Sequence, residues 1–175
     1  MQEYLLTMTG PDKPGIVASL AGIVSNHDGN WLESRLMRLG GTFSGILRIE
    51  LAEPSTGPFE GEVAAFMKDA GYEHVLKKVQ ESRAPEEGPT VNLNLSGQDH
   101  PGIVHAIFQA LQEMGANVEE LRTGLEAAPW SGTPVFQASA RIRLPQPISL
   151  DSLQARLEEI TGDLLVEVSL QEEAP

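Results

Sequence analysis

The sequence predicts an α+β protein built as two tandem βαββαβ units, and three observations carry that expectation. The first is an internal duplication. Gly10-Pro11-Asp12-Lys13-Pro14-Gly15-Ile16-Val17 returns as Gly97-Gln98-Asp99-His100-Pro101-Gly102-Ile103-Val104. Asn30, Glu33 and Arg35 return as Asn117, Glu120 and Arg122 at the same shift of 87 residues. The second is that each copy joins an apolar strand-like run to an apolar run of helical spacing. The third is Gly40-Gly41, a two-residue hairpin signal between two strand-like segments.

Residues 2–9 read as a strand with apolar side chains on both faces, as a central strand would have. Ile16, Val17, Leu20, Ile23 and Val24 then follow helical spacing and form one apolar face, and Asp28-Gly29-Asn30 supplies the turn that ends it. Residues 31–39 and 42–51 read as the hairpin strands; Leu47, Ile49 and Leu51 alternate with Arg48 and Glu50, so one face is buried. A loop over residues 53–58 leads to a helix on Phe59, Val63, Phe66, Met67 and Ala70, closed by Gly71, and residues 72–81 return as a strand. That order is the ferredoxin-like split βαβ: a four-stranded antiparallel sheet with two helices on one face.

Residues 83–89 have linker composition and separate a first domain, residues 1–82, from a second, residues 90–175. In the second, Val91, Leu93 and Leu95 alternate with polar residues, and Ile103, Val104, Ile107, Leu111 and Met114 mark a helix ended by Gly115-Ala116-Asn117. Residues 118–125 and 135–144 are the hairpin strands, with Phe136, Ala138, Ala140 and Ile142 facing in. Ser149 is placed to cap a helix on Leu150, Leu153, Leu157 and Ile160 that Gly162 should stop, and Val166, Val168 and Leu170 belong to the last strand. A longer loop, residues 126–134, replaces the tight glycine turn and carries Trp130, which either marks a contact surface or packs under its own loop; the residues after Gln171 should fray.

The repeated junction is the candidate functional element. A strand-to-helix junction leaves backbone N–H groups free at the helix start, where an anionic group can be held. Asp12 and Asp99 are expected to cap that start, with Pro14 and Pro101 in its first turn. Gly15 and Gly102 lack a Cβ, which lets a ligand or a second backbone approach.

Charge excludes several partners. The net charge is −13; residues 1–87 carry 8 basic and 13 acidic side chains, and residues 88–175 carry 4 and 12. Each half would repel a phosphate backbone, so no direct nucleic-acid partner and no anionic membrane are expected. No apolar run approaches the roughly 18 residues of a membrane span. Met1-Gln2-Glu3-Tyr4 does not open a signal peptide, and the chain has no cysteine, so a cytoplasmic location is expected.

Catalytic and metal-binding sets are not expected either. There is no nucleophile elbow, phosphate loop or Cys–His pair. His100 and His105 are poorly spaced to share one helix face as metal ligands, and all four histidines read as solvated. Glu119 with Glu120, and Glu158 with Glu159, read as solvated neighbours that point apart. No cofactor is expected.

A βαββαβ unit with an Asp-x-Pro-Gly-Ile-Val junction and an Asn entering the second strand resembles the ACT domain, a small regulatory module. Two such units in tandem, opening with Gly-Pro-Asp-x-Pro-Gly-Ile-Val, resemble the glycine cleavage system transcriptional repressor family. The resemblance implies a non-catalytic sensor of glycine or another small amino acid that acts through a DNA-binding activator protein. It places ligand contacts at Asp12, Lys13, Pro14, Gly15 and Ile16, at Asp99, His100, Pro101, Gly102 and Ile103, and at Asn30 and Asn117. It further implies that Asp12 works with Asn117 and Asp99 with Asn30, and it leaves a homodimer open. The chemistry agrees: a carboxylate suits free N–H groups, an ammonium suits Asp, and an amide serves either. The alternative is a regulatory subunit or detached regulatory domain of an amino-acid or folate-linked enzyme, such as formyltetrahydrofolate deformylase. Met1 lies one short strand ahead of the motif, so no catalytic domain is expected within this chain.

Overall fold

The computed structural model describes residues 1–79, 88–127 and 133–172. The chain divides into two compact units, Met1–Ser82 and Arg83–Pro175. The first runs β1 (Gln2–Pro11), α1 (Ile16–Asn26), β2 (Asn30–Leu39), β3 (Thr42–Leu51), α2 (Thr56–Ala70) and β4 (Glu73–Lys78). Its strands lie in the order β2-β3-β1-β4, every pair antiparallel. β1 is therefore a central strand, which accounts for apolar side chains on both of its faces.

Register decides what the sheet buries. Tyr4 lies opposite Ile49 and Leu6 opposite Leu47, so these four share the face that meets the helices. Leu20, Ile23 and Val24 of α1 and Phe59, Val63 and Met67 of α2 close the core over them. Each such large side chain contributes about 1.5–3 kcal/mol through burial. On the other face Ile46 and Val75 flank Thr7 across β1, with Leu5 beside them. That outer face is apolar at its centre.

The second unit repeats the order: β5 (Thr90–Gln98), α3 (Ile103–Glu113), β6 (Asn117–Ala127), β7 (Pro134–Arg143), α4 (Leu150–Leu164) and β8 (Val166–Glu172). Its sheet runs β6-β7-β5-β8, again antiparallel. Val91, Leu93, Leu95, Ile107, Leu111, Leu153 and Leu157 form its core. Its outer face is polar, with Arg122, Ser139, Asn94 and Ser169 in one cross-strand row. The inner faces of the two units match, while the outer faces have diverged.

Several local expectations change. α2 begins at Thr56, after a 3₁₀ turn over Glu53–Ser55, so most of the expected loop is helical. Val17 and Val104 sit on the solvent side of their helices. Gly162 does not stop α4; the helix continues to Leu164 and ends where Leu165 takes a left-handed φ of 52°. Ser149 does cap α4, its hydroxyl accepting from the Ser152 N–H at 3.2 Å. β6 extends beyond its expected limits to Asn117 and Ala127, while β7, Pro134–Arg143, starts and ends one residue earlier than expected. Trp130, residues 83–87 of the linker and residues 173–175 lie outside the described residues.

Two polar readings are corrected. His27 is not simply solvated: its Nε2 lies 2.7 Å from Glu62 Oε2, and its ring meets the Phe59 ring edge-on. Glu119 and Glu120 are not a solvated alternating pair. A bulge between Val118 and Glu120 displaces Glu119 from the ladder, and its carboxylate lies 2.6 Å from Arg143 Nη2 and 3.2 Å from Arg141 Nε. No described helix is long and apolar enough to cross a membrane.

Candidate functional site

Three strand ends meet at the first junction. Pro11, last in β1, lies opposite Thr42, first in β3, and Thr42 lies opposite Leu39, last in β2. This register brings the Gly40-Gly41 hairpin tip beside the junction. The Asp12 N–H donates to the Gly41 carbonyl at 3.4 Å. The Asp12 carboxylate turns to the end of β2, where its Oδ2 lies 2.8 Å from Arg38 Nε.

The C-terminal end of α2 braces the junction from the other side. Lys13 donates from Nζ to the Ala70 carbonyl at 2.8 Å, and Tyr72 donates from its hydroxyl to the Pro11 carbonyl at 2.6 Å. The Tyr72 ring fills the space beside Gly10, where an added Cβ would lie 2.5 Å from Tyr72 Cγ. Burial, and then the nearby Asp12 carboxylate, pushes the Tyr72 phenol above its ordinary value.

Neither aspartate caps its helix, contrary to expectation. The N-cap residues are Gly15 and Gly102, at φ of 88° and 101°, and neither helix start has a side-chain cap. Asp12 and Asp99 stand three residues earlier, too far back along a turning chain to serve as the cap. Pro14 and Pro101 precede the N-cap and lie in the turn instead of the first helical turn. The first intrahelical bonds run from Ser19 to Gly15 at 2.9 Å and from Ala106 to Gly102 at 3.0 Å. The N–H groups of Ile16 to Ala18 and of Ile103 to His105 thus have no helical carbonyl to bond. The Ile16 and Ile103 side chains are buried in their cores, so only their backbones face the junction.

The second junction keeps this backbone and changes its surroundings. The Asp99 N–H donates to the Pro134 carbonyl at 3.4 Å. His100, in the place of Lys13, sets its Nδ1 3.1 Å from the Pro101 carbonyl oxygen. Val166 stands where Tyr72 does, and Leu125 where Arg38 does. Beside the second junction lies an open groove of about 600 Å³, lined by Gln98, Pro134, Val135 and Leu165 among others.

Residues 2–76 match the family model of the ACT domain. The first unit is an ACT domain. The second carries the same fold, so the chain is a tandem ACT fold. It is similar over 99% of its length to 99% of an unknown protein from Galdieria sulphuraria, at 24% identity and a TM-score of 0.82. It is also similar over 99% of its length to 98% of a candidate glycine cleavage system transcriptional repressor, at 18% identity and a TM-score of 0.70. No curated protein matches the sequence.

Within each ACT unit the expected site residues do not converge. Asn30 opens β2 and pairs with Glu50, at the end of the sheet opposite Leu39. Nine residue-to-residue steps of strand separate them, roughly 30 Å at about 3.3 Å per step. Asn117 opens β6 opposite Arg143 and stands likewise at the far end of its own sheet. Sequence reasoning missed Arg38, Tyr72 and the hairpin tip. The hairpin glycines were legible, but only the pairing of β1 with β3 brings them beside Asp12. Among the described residues no group of three or more His, Asp or Glu side chains is placed to hold a metal ion.

Proposed function

We propose that this chain is a non-catalytic regulatory protein that senses a small amino acid at its junctions and passes the signal to a protein partner. One observation carries the reading: a glycine-capped helix start with unbonded N–H groups follows an aspartate in both units. Ligand carboxylate would be taken by those N–H groups, and ligand ammonium by Asp12 or Asp99. Lys13, Pro14, His100 and Pro101 would shape the approach. Asn30 and Asn117 cannot reach a ligand held at the junction of their own unit.

By fold likeness to the candidate glycine cleavage system repressor, the favoured output is control of a transcription activator by contact, with the acidic chain itself staying off DNA. Calorimetric titration of the full chain with glycine, alanine and serine tests the sensor. Asp12→Ala and Asp99→Ala should weaken binding at their own junctions about tenfold to a hundredfold, the loss of one charge-assisted hydrogen bond. If none of the three binds at millimolar concentration, the amino-acid reading fails. Stable co-purification with a catalytic chain would instead favour a regulatory subunit of an enzyme.

A further inference from the structure

We infer that Arg38 is a ligand-binding residue of the first junction, and that the Asp12–Arg38 pair is the charge complement of a zwitterionic α-amino acid. The inference rests on the reading of that junction as a ligand site. Arg38 Nε lies 2.8 Å from Asp12 Oδ2, with 68% of the arginine side chain exposed. Among the described residues Arg38 has no other partner, so its terminal N–H groups are open to a ligand. Lys13 directs its Nζ to the Ala70 carbonyl at the end of α2, so the cation beside Asp12 is Arg38. Arg38 is the cation that pairs with Asp12 at this junction.

A positive and a negative group side by side, both partly exposed, match the two ends of an amino acid. The guanidinium offers a carboxylate two parallel N–H bonds, and Asp12 accepts from the ammonium. An exposed ion pair contributes little to stability, so exchanging it for two bonds to a ligand costs little. The first-turn N–H groups of α1 follow Asp12 along the same junction and are further donors for a carboxylate.

The second unit lacks this complement. At the shift of 87 residues Arg38 becomes Leu125, which is 61% exposed, opposite Phe136 as Arg38 is opposite Phe43. Asp99 has no ion-pair partner among the described residues. The second junction keeps the helix N–H groups and Asp99 but brings no arginine to a carboxylate, so it should hold an amino acid more weakly than the first.

The test is calorimetric titration of the full chain with glycine, alanine and serine, and with acetate and methylamine as half-ligands. Wild type should bind at least one of the amino acids, and bind either half-ligand about tenfold more weakly or worse. Arg38→Met should lose about tenfold or more in affinity, Arg38→Lys should recover most of that loss, and Leu125→Met should leave binding at the first junction unchanged. Melting temperature should not move in Arg38→Met, because the side chain is exposed. An Arg38→Met chain that binds as wild type does would overturn the inference and leave the junction reading standing. A wild type that binds none of the three amino acids would overturn both.

Discussion

Lys13 donates its ε-ammonium to the carbonyl of Ala70, 2.8 Å away, and so closes the last turn of α2 from the far end of the junction. The neighbouring carbonyls are already served: Gly71 N–H donates to Lys68 and Tyr72 N–H to Met67. A helix C-terminus carries unpaired carbonyls and a partial negative charge, so a lysine there satisfies both. The variable position of the motif is thus a brace in the first unit. His100 takes its place in the second.

Removing that brace should cost little but measurably. Lys13→Met is expected to lower stability by about 0.5–1 kcal/mol, read from denaturant midpoints. His100→Met should not produce the same loss through a helix C-terminus.

Tyr72 supports the junction through both its hydroxyl and its ring. Tyr72→Phe should cost about 0.5–1.5 kcal/mol for the hydrogen bond to Pro11. Gly10→Ala should cost about 1–3 kcal/mol, because the new methyl meets the ring. The raised phenol also sets a pH dependence. A group whose folded pKa lies above its unfolded value keeps its full contribution below the unfolded value and loses it as pH rises through the folded one. Wild type should therefore lose stability above about pH 10 more steeply than Tyr72→Phe. Urea denaturation at several alkaline pH values would measure the difference.

The two N-cap glycines are required by conformation and not by crowding. An added Cβ at Gly15 or Gly102 meets no atom within 4 Å, but the φ values of 88° and 101° disfavour any L side chain. Gly102→Ala should destabilise by about 1–2 kcal/mol, and Gly102→Asn by less. Equal losses in the two variants would contradict that account.

Asp99→Ala should barely alter the melting temperature, since Asp99 caps nothing. A cap would have cost about 1 kcal/mol. A loss of that size in thermal denaturation would restore the capping role that Gly102 takes in the structure.

On DNA, the purified chain should give no shift in a gel assay at moderate salt. Both halves are acidic, and phosphate contacts need cations that neither half has in excess.

The repeated strands and helices were legible because their signals are local. Val91, Leu93 and Leu95 alternate, and Gly40-Gly41 can hardly be anything but a tight turn. The helix ends were less legible where two residues competed. Gly162 offered a stop, yet α4 gains another partial turn and Leu165 accepts the left-handed turn. The capping reading of Asp12 failed for a related reason: an aspartate near a helix start has several backbone and side-chain partners to choose from. Its choice, Arg38, lies across a sheet whose strand order a single sequence does not state. His27 and Glu119 looked like surface groups because nothing in the chain order announces Glu62, Arg141 or Arg143 as neighbours.

Tyr4 and Tyr72 are the only two tyrosines, and both lie in the core of the first ACT domain. Near-ultraviolet tyrosine circular dichroism is then a built-in probe of one module. The second module has no tyrosine, and a Trp130→Phe background removes its one overlapping indole. Melting curves followed by tyrosine and by far-ultraviolet signal would coincide only if the two modules unfold together. A duplicated protein that otherwise gives overlapping signals from its halves can in this way be followed one half at a time.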